Sequence, residues 1–191
     1  MPEERLTLTR PDDWHLHLRD GDALKHTVPA TARVFARAIV MPNLKPPVLT
    51  VVDAHAYRNR ILEHLPEHSD FDPLMTLYLT DTTTVDEIAA AAADPLVYAG
   101  KLYPAGATTN SEAGVSDLDT LFPVFEAMEK HGLPLLIHGE VTEHEVDVFD
   151  REEVFIDRHL RPIVERFAAL RIVFEHITSA AAVAFVEAAP A

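Results

Sequence analysis

The feature that most constrains the fold of this chain is a repeated alternation between short apolar segments and segments of helical periodicity. Strand-then-helix units in series predict a parallel sheet, because each helix returns the chain to the starting edge through a right-handed crossover. Pro, Gly or Asn residues at the junctions mark where the segments end. The six apolar segments that we predict to be strands span residues 6–18, 37–41, 74–79, 97–103, 135–138 and 171–176.

Helix-capping signals separate several of these strands. Thr50 and Thr84 each stand at the start of a helical segment, where a side-chain oxygen can accept a hydrogen bond from a free backbone amide. The clearest helix covers 117–131, because its apolar residues recur on one face and it ends before Gly132 and Pro134. Further helices are predicted over 152–170, with a break or kink at Pro162, and over 180–189.

Two architectures fit a series of such units: an open, doubly wound sheet and a closed (β/α)8 TIM-type barrel. No glycine-rich phosphate-binding turn follows the first predicted strand, which disfavours the nucleotide-binding form of the open sheet. A complete barrel typically needs about 250 residues, whereas this chain has 191. We therefore predict a single α/β barrel domain over 1–191, with only the first six βα units present and the last two missing.

Composition limits the kinds of site that this barrel can hold. The chain has no cysteine, which excludes thiolate ligands and disulfides, but its 11 histidines are potential metal ligands. Its formal net charge of −15 disfavours nucleic-acid and anionic-membrane partners. Residues 1–10 lack an apolar run of signal-peptide length, and no stretch is long enough to cross a bilayer. We therefore expect a cytoplasmic protein.

Four histidines stand at the ends of predicted strands. His15 and His17 are two apart in the first strand, so both imidazoles point to one face. His138 ends the fifth strand, and His176 ends the sixth. Because a parallel barrel gathers the C-terminal ends of its strands at one face, these imidazoles would converge there and could hold a metal. The alternatives are surface histidines at 15 and 17 and hydrogen-bonded core histidines at 138 and 176.

Lys101 lies within the fourth predicted strand, with apolar residues around it. A buried lysine is costly to keep charged, so it is normally extended to the surface, paired or chemically modified. A lysine that reaches the surface is the simpler alternative. Beside the histidines, however, a neutral Lys101 amine could take up carbon dioxide, and the resulting carbamate could bridge two divalent cations as a carboxylate does.

Several segments together make a resemblance to a known family specific. Residues 10–21, with the sequence RPDDWHLHLRDG, resemble the N-terminal signature of the shorter, stand-alone bacterial dihydroorotases. The resemblance runs from about residue 6 to the C-terminal end, and the ordered set of motifs is more specific than any one of them. The later motifs are matched in order at MPN (41–43), KLYP (101–104), TTNS (108–111), HGE (138–140) and FEHIT (174–178).

The resemblance implies a metal-dependent hydrolase with two zinc ions in each subunit. His15 and His17 would bind the more buried zinc, and His138 and His176 would bind the second. Lys101, carboxylated on its side-chain nitrogen, would bridge the two ions together with a hydroxide.

The same resemblance implies a substrate site beside the metals. Arg19 and Asn43 would bind the substrate carboxylate, a task that suits the fork of an arginine. Thr108 and Thr109 would lie on a mobile loop that closes over the substrate. Without the resemblance, these four positions would be a surface charge, a turn residue and ordinary loop residues. We identify no catalytic acid or base, because the aspartate that the family uses would lie beyond residue 191.

The implied activity is the reversible interconversion of N-carbamoyl-L-aspartate and L-dihydroorotate in de novo pyrimidine biosynthesis. The partners would be this small-molecule substrate and, by analogy, a second subunit in a homodimer. Two alternatives stay open: another cyclic amidase, such as a hydantoinase or allantoinase, and a catalytically incomplete fragment. Glu140 and Glu175 neighbour the proposed ligands, but we expect them on the opposite strand face, paired in the core or supporting a ligand.

Overall fold

Six parallel strands lie side by side in chain order, and at least one helix lies in each connection between them. The computed structural model describes residues 6–189, so predictions that concern residues 1–5, 190 and 191 fall outside the described residues. The strands are β1 Asp13–Leu16, β2 Arg37–Val40, β3 Asp72–Leu79, β4 Val97–Leu102, β5 Leu135–Ile137 and β6 Ile172–Phe174.

The strand order decides between the two architectures that the sequence allowed. In an open, doubly wound sheet the order reverses at a switch point, which places the first strand inside the sheet. Here the order runs from β1 to β6 without reversal, and every neighbouring pair is parallel. This is the strand order of a TIM barrel, so the predicted fold, with six βα units in this chain, is confirmed.

The helices begin at the capping residues that the sequence indicates. The Thr50 hydroxyl accepts a hydrogen bond from the Asp53 amide while the Asp53 carboxylate accepts one from the Thr50 amide, which completes a capping box. The Thr84 hydroxyl accepts a hydrogen bond from the Glu87 amide in the same way. The helices are α1 Leu24–Ala32, α2 Val51–Leu62, α3 Val85–Ala93, α4 Phe122–His131, α5 Arg151–Phe155, α6 Arg161–Arg166 and α7 Ala180–Ala188.

Helix bounds differ from the prediction where the local geometry changes. A 3₁₀ turn occupies Leu118–Leu121, so α4 begins five residues after the predicted start of that helix at 117. The predicted helix over 152–170 is α5 and α6 joined by a π-helical segment, Ile156–Leu160. Pro162 lies at the start of α6, directly after the π-helical segment, so the predicted irregularity is present and precedes the proline, which lacks the amide of a regular helix.

Several strands are shorter than the apolar pattern predicted. β1 covers only Asp13–Leu16 of the predicted 6–18 segment, and Pro11 before it has no amide with which to join a sheet. β5 ends one residue before His138, and β6 ends two residues before His176. These imidazoles therefore lie just beyond their strands instead of ending them.

Because side chains alternate between the two faces of the sheet, Lys101 and His138 lie on the same face as a small apolar cluster. Lys101 lies two residues beyond Ala99 in the same strand, and His138 lies two residues beyond Leu136, so each pair shares a face of the sheet. The other face packs against the helices and forms the larger core. The small cluster consists of Ile39, Met41, Leu74, Ala99 and Leu136.

The outer strands of the described sheet are β1 and β6, each paired with one neighbour. Trp14 of β1 is 56% exposed and Val173 of β6 is 46% exposed, so apolar side chains lie along both edges. Within residues 6–189, no helix combines the length and apolar character needed to cross a membrane.

Candidate metal centre

Four strands bring the five predicted metal-site residues to the C-terminal face of the sheet. His15 lies within β1 and His17 immediately follows it. Lys101 is the next-to-last residue of β4, His138 follows β5, and His176 lies just beyond β6. Because all strands are parallel, their C-terminal ends lie on one side of the fold, which is where barrel enzymes build their sites.

The four imidazoles form a connected cluster. The Nε2 atoms of His15 and His17 are 3.1 Å apart. The ring centroids of His15 and His176 are 5.0 Å apart, and those of His138 and His176 are 4.8 Å apart. Imidazole rings from residues separated by more than 120 positions in the chain therefore lie side by side, and among them the ring nitrogens of His15 and His176 belong to one group of neighbouring ligand atoms.

Lys101 is fully buried, with 0% of its surface exposed. Its ammonium group pairs with the carboxylate of Glu175 and lies 4.8 Å from the centroid of the Tyr103 ring. The alternative of a lysine that reaches the surface is therefore wrong. Burial lowers the pKa of Lys101, although the charge of Glu175 acts in the opposite direction.

Glu175 lies inside the cluster, contrary to the prediction that it would face the other side of the strand. One carboxylate oxygen pairs with Lys101, and the other is 3.1 Å from Nδ1 of His15. The prediction failed because β6 ends at Phe174 and His176 has a left-handed backbone with a φ of 40°, so strand alternation does not extend to these residues. The expectation that Glu175 would be paired in the core was correct.

Glu140 also lies on the side of the histidines. Its Oε2 atom is 3.0 Å from Nε2 of His138, so its predicted placement on the opposite face is wrong. Residues two apart share a face in a strand, and the chain leaves β5 after Ile137 without reversing that direction. Glu140 can support His138 by hydrogen bonding to its ring.

The donor groups of this cluster fit a divalent cation. Ligand atoms of His15, Glu175 and His176 all lie within 4.8 Å of one another. Nδ1 of His15, Nδ1 of His17 and Oε1 of Glu175 are buried and lack a well-aligned hydrogen-bond partner. Buried polar atoms are normally satisfied, and imidazole and carboxylate groups are ligands that zinc accepts.

The charge state of the imidazoles also suits a metal. Burial, reinforced by neighbouring positive charges, lowers the pKa of both His17 and His176 to about 4. Burial likewise lowers the pKa of His138, while Glu140 acts in the opposite direction. These three rings are therefore neutral at pH 7, which is the form that binds a metal ion.

Arg19 and Asn43 lie next to this cluster. The backbone of Arg19 is left-handed, with a φ of 65°, and its carbonyl accepts a hydrogen bond of 2.5 Å from the hydroxyl of Tyr57. The charge of Arg19 is among the influences on the pKa of His17, after burial and the charge of His15. Asn43 is only 1% exposed, and its side-chain oxygen is buried without a hydrogen-bond partner.

The loop after β4 folds back onto Asn43. The side-chain amide of Asn43 donates to the carbonyl of Thr109 at 2.9 Å, and the side-chain amide of Asn110 donates to the carbonyl of Asn43 at 3.0 Å. The Thr108 amide donates to the hydroxyl of Ser111 at 2.8 Å, which shapes the loop from within. Both threonine side chains are exposed, so the structure brings the backbone of Thr109, and not its hydroxyl, to Asn43.

Gly139 leaves room for the ring of Phe174 beside His138. A Cβ atom added at Gly139 would lie 1.9 Å from Cε2 of Phe174. We expect Gly139→Ala to lower the free energy of unfolding by about 1–3 kcal/mol, because the Phe174 ring must move to make room. Equilibrium unfolding in urea measures this change. The second substitution Phe174→Leu should remove part of the penalty, and an equal penalty in both backgrounds would show that this contact is not its cause.

A sequence profile of the amidohydrolase family matches residues 12–187, which includes all five predicted metal-site residues. The chain belongs to the amidohydrolase family. Within this family, the resemblance to dihydroorotases is confirmed over nearly the whole chain. A dihydroorotase of Pseudomonas putida is 61% identical over 188 residues, which are 98% of this chain and 54% of that relative.

A comparison with solved structures also finds similarity to dihydroorotases. A dihydroorotase from Campylobacter jejuni superposes with a TM-score of 0.85 at 39% identity, over 93% of this chain and 51% of that one. An L-hydantoinase (dihydropyrimidinase) from Arthrobacter aurescens gives a TM-score of 0.66 at 16% identity, over 85% of this chain and 40% of that one, and shares the fold alone. The chain spans about half the length of the curated relatives that it matches.

Proposed function

We propose that this chain forms the metal-binding part of a zinc-dependent dihydroorotase, which reversibly interconverts N-carbamoyl-L-aspartate and L-dihydroorotate in de novo pyrimidine biosynthesis. The observation that carries the proposal is the meeting of four imidazoles and the buried Lys101 at the C-terminal ends of four strands. A cytoplasmic location and assembly as a homodimer belong to the same proposal, by analogy with the family.

Two zinc ions in each subunit are the proposed cofactors. His15 and His17 would hold one ion, His138 and His176 the other, and Lys101 would bridge them after carboxylation of its side-chain nitrogen. The lowered pKa of Lys101 supports this modification, because only a neutral amine can add to carbon dioxide. When bound, such a metal pair activates a water molecule and polarises a carbonyl group.

The protein's own groups would orient the substrate beside the metals. The charge of Arg19 and the buried side chain of Asn43 both act on His17, and the arginine fork can bind a carboxylate through two parallel hydrogen bonds. The Thr108 and Thr109 hydroxyls are exposed on the loop that reaches Asn43, so they are available to a substrate covered by that loop. Closure of the loop would exclude water from the reacting amide.

Proton transfer needs an acid or base that we do not assign within this chain. Among residues 6–189, the grouped metal-binding side chains include no aspartate. We therefore propose that the chain by itself binds zinc, and that turnover requires the remaining units of a closed barrel. This proposal combines the dihydroorotase assignment with the alternative of a catalytically incomplete fragment.

A chimaera tests the activity. We expect the chain joined to the corresponding C-terminal half of the Pseudomonas putida relative to hydrolyse dihydroorotate, because the identity of 61% makes the two halves compatible. The unfused chain, at the same zinc content, is the matched control and should give no turnover. Steady-state kinetics with dihydroorotate and with hydantoin measure the preference. A higher kcat/KM for hydantoin would support the competing cyclic amidase function, and turnover by the unfused chain would contradict the need for further units.

A further inference from the structure

Glu152 is a buried carboxylate outside the cluster of proposed ligands. It lies in the first turn of α5 and is only 8% exposed. One oxygen accepts a hydrogen bond from the Thr178 amide at 3.1 Å, and the other accepts one from the Ser179 amide at 2.7 Å. Burial of a carboxylate is costly unless it is hydrogen bonded, so these backbone contacts account for its position.

The two amides belong to the turn between β6 and α7. Ser179 is the N-cap of α7, and its hydroxyl accepts a hydrogen bond from the Ala182 amide. Thr178 lies two residues after His176, whose φ of 40° is unfavourable for a residue with a side chain. A residue keeps such a conformation only where the surrounding structure determines it. The carboxylate of Glu152 helps to hold this conformation, because it binds the backbone amides of the two residues that follow Ile177.

The same helix also fixes the other side of His176. The ring of Phe155, three residues after Glu152, stacks on the ring of Phe174 with centroids 6.4 Å apart and an angle of 18° between planes. Phe174 is the last residue of β6. His176 therefore lies between two anchor points on α5, a ring contact at 174 and a carboxylate contact at 178 and 179.

We infer that Glu152 is a positioning residue for His176. By binding the amides of Thr178 and Ser179, it holds the turn in the one conformation that directs the His176 imidazole towards His15 and His138. The metal affinity of the centre then depends on a carboxylate that touches no ligand directly. This inference rests on the proposed metal-binding function.

Glu152→Gln is the first test, because glutamine keeps the size of the side chain but turns one of the two acceptors into a donor that faces a backbone amide. Glu87→Gln is the matched control. The Glu87 carboxylate accepts a hydrogen bond of 2.8 Å from the Val51 amide at the start of α2, which is the same kind of contact at a helix without a proposed ligand.

Zinc affinity, measured by competition with a chromophoric chelator, should fall about tenfold or more in Glu152→Gln. The Glu87→Gln variant should keep the affinity of the wild type. In NMR spectra of metal-free protein labelled isotopically at histidine, the ring resonances of His176 should shift in Glu152→Gln. They should not shift in Glu87→Gln. In a His176→Asn background, Glu152→Gln should cause no further loss of zinc affinity, because the ring that it positions is absent.

Each outcome bears on the inference. An unchanged zinc affinity in folded Glu152→Gln, or an equal loss in Glu87→Gln, would overturn it. A full loss from Glu152→Gln in the His176→Asn background would also overturn it, since the effect would not pass through that ring. If the wild type binds no zinc, the proposed function fails, and the His176 resonances of the metal-free variants still decide whether Glu152 positions the ring.

Discussion

Replacement of Lys101 by methionine is expected to remove one of two bound zinc ions and to lower kcat/KM of the barrel-completing chimaera by about a thousandfold or more. Methionine has a similar length and fits an apolar site, but it cannot carry the carboxyl group that we propose as the bridge. Zinc content by atomic emission and steady-state kinetics with dihydroorotate measure the two effects.

Loss of folding must be separated from loss of the bridge in this variant. In the metal-free protein with unmodified lysine, Lys101→Met removes the ammonium partner of the buried Glu175 carboxylate and leaves it only His15, which we expect to cost about 3 kcal/mol of stability or more. The double variant Lys101→Met/Glu175→Gln removes that buried charge and should regain part of the stability. It should not regain the second zinc ion. Recovery of both zinc ions and of turnover in the double variant would show that Lys101 only balances the charge of Glu175.

The metal-free protein is expected to lose stability as the pH falls from about 6.5 to about 4. Burial lowers the pKa of His17 and His176 to about 4 in the folded chain, whereas an unfolded histidine titrates near pH 6.5. In this window these two histidines together bind up to two more protons in the unfolded state than in the folded state. The stability that His17 and His176 contribute is fully present above about pH 6.5, the pKa of a histidine in the unfolded chain. It is lost as the pH falls through about 4, their pKa in the folded chain.

The double variant His17→Asn/His176→Asn tests whether these two histidines cause the pH dependence. The quantity to compare is the change of stability with pH, and not the stability at any one pH. Urea unfolding midpoints measured from pH 4 to pH 7 should rise steeply in the wild type and much less in the variant. Carboxylates such as Asp81, whose pKa is lowered by hydrogen bonds from Ser116, act at lower pH and should affect both proteins alike. Equal slopes in the two proteins would assign the pH dependence to other groups.

Local pattern was enough to predict a series of parallel strands with helical crossovers and the side-chain types at the strand ends, whereas the choice between an open sheet and a barrel needed the observed strand order. Lys101 could be singled out because a lysine between apolar residues of a strand has few favourable environments. His138 could be placed because strand period and parallel order together fix its face and its edge. These features depend on short-range periodicity and on a chirality rule that holds for nearly all crossovers.

The contacts that complete the site depend on where strands stop. Glu175 enters the cluster because β6 ends at Phe174 and the next residues leave the strand conformation, which no alternation rule indicates. The hydrogen bonds between Asn43 and the loop at Thr109 join residues 66 positions apart and depend on the folded path of that loop. Glu152 gave no signal in the sequence, since a glutamate in the first turn of a helix is ordinary.

Native mass spectrometry and metal analysis of protein purified without chelator decide whether Lys101 bridges a pair of zinc ions, because they detect both the cations and the mass added to the lysine. We expect two zinc ions in each chain and one added carbon dioxide, which a ¹³C carbamate resonance of the folded protein prepared with ¹³C-bicarbonate, absent from Lys101→Met, assigns to Lys101. A folded protein that contains no zinc after incubation with zinc and bicarbonate, and in which Lys101 is unmodified, would contradict this expectation.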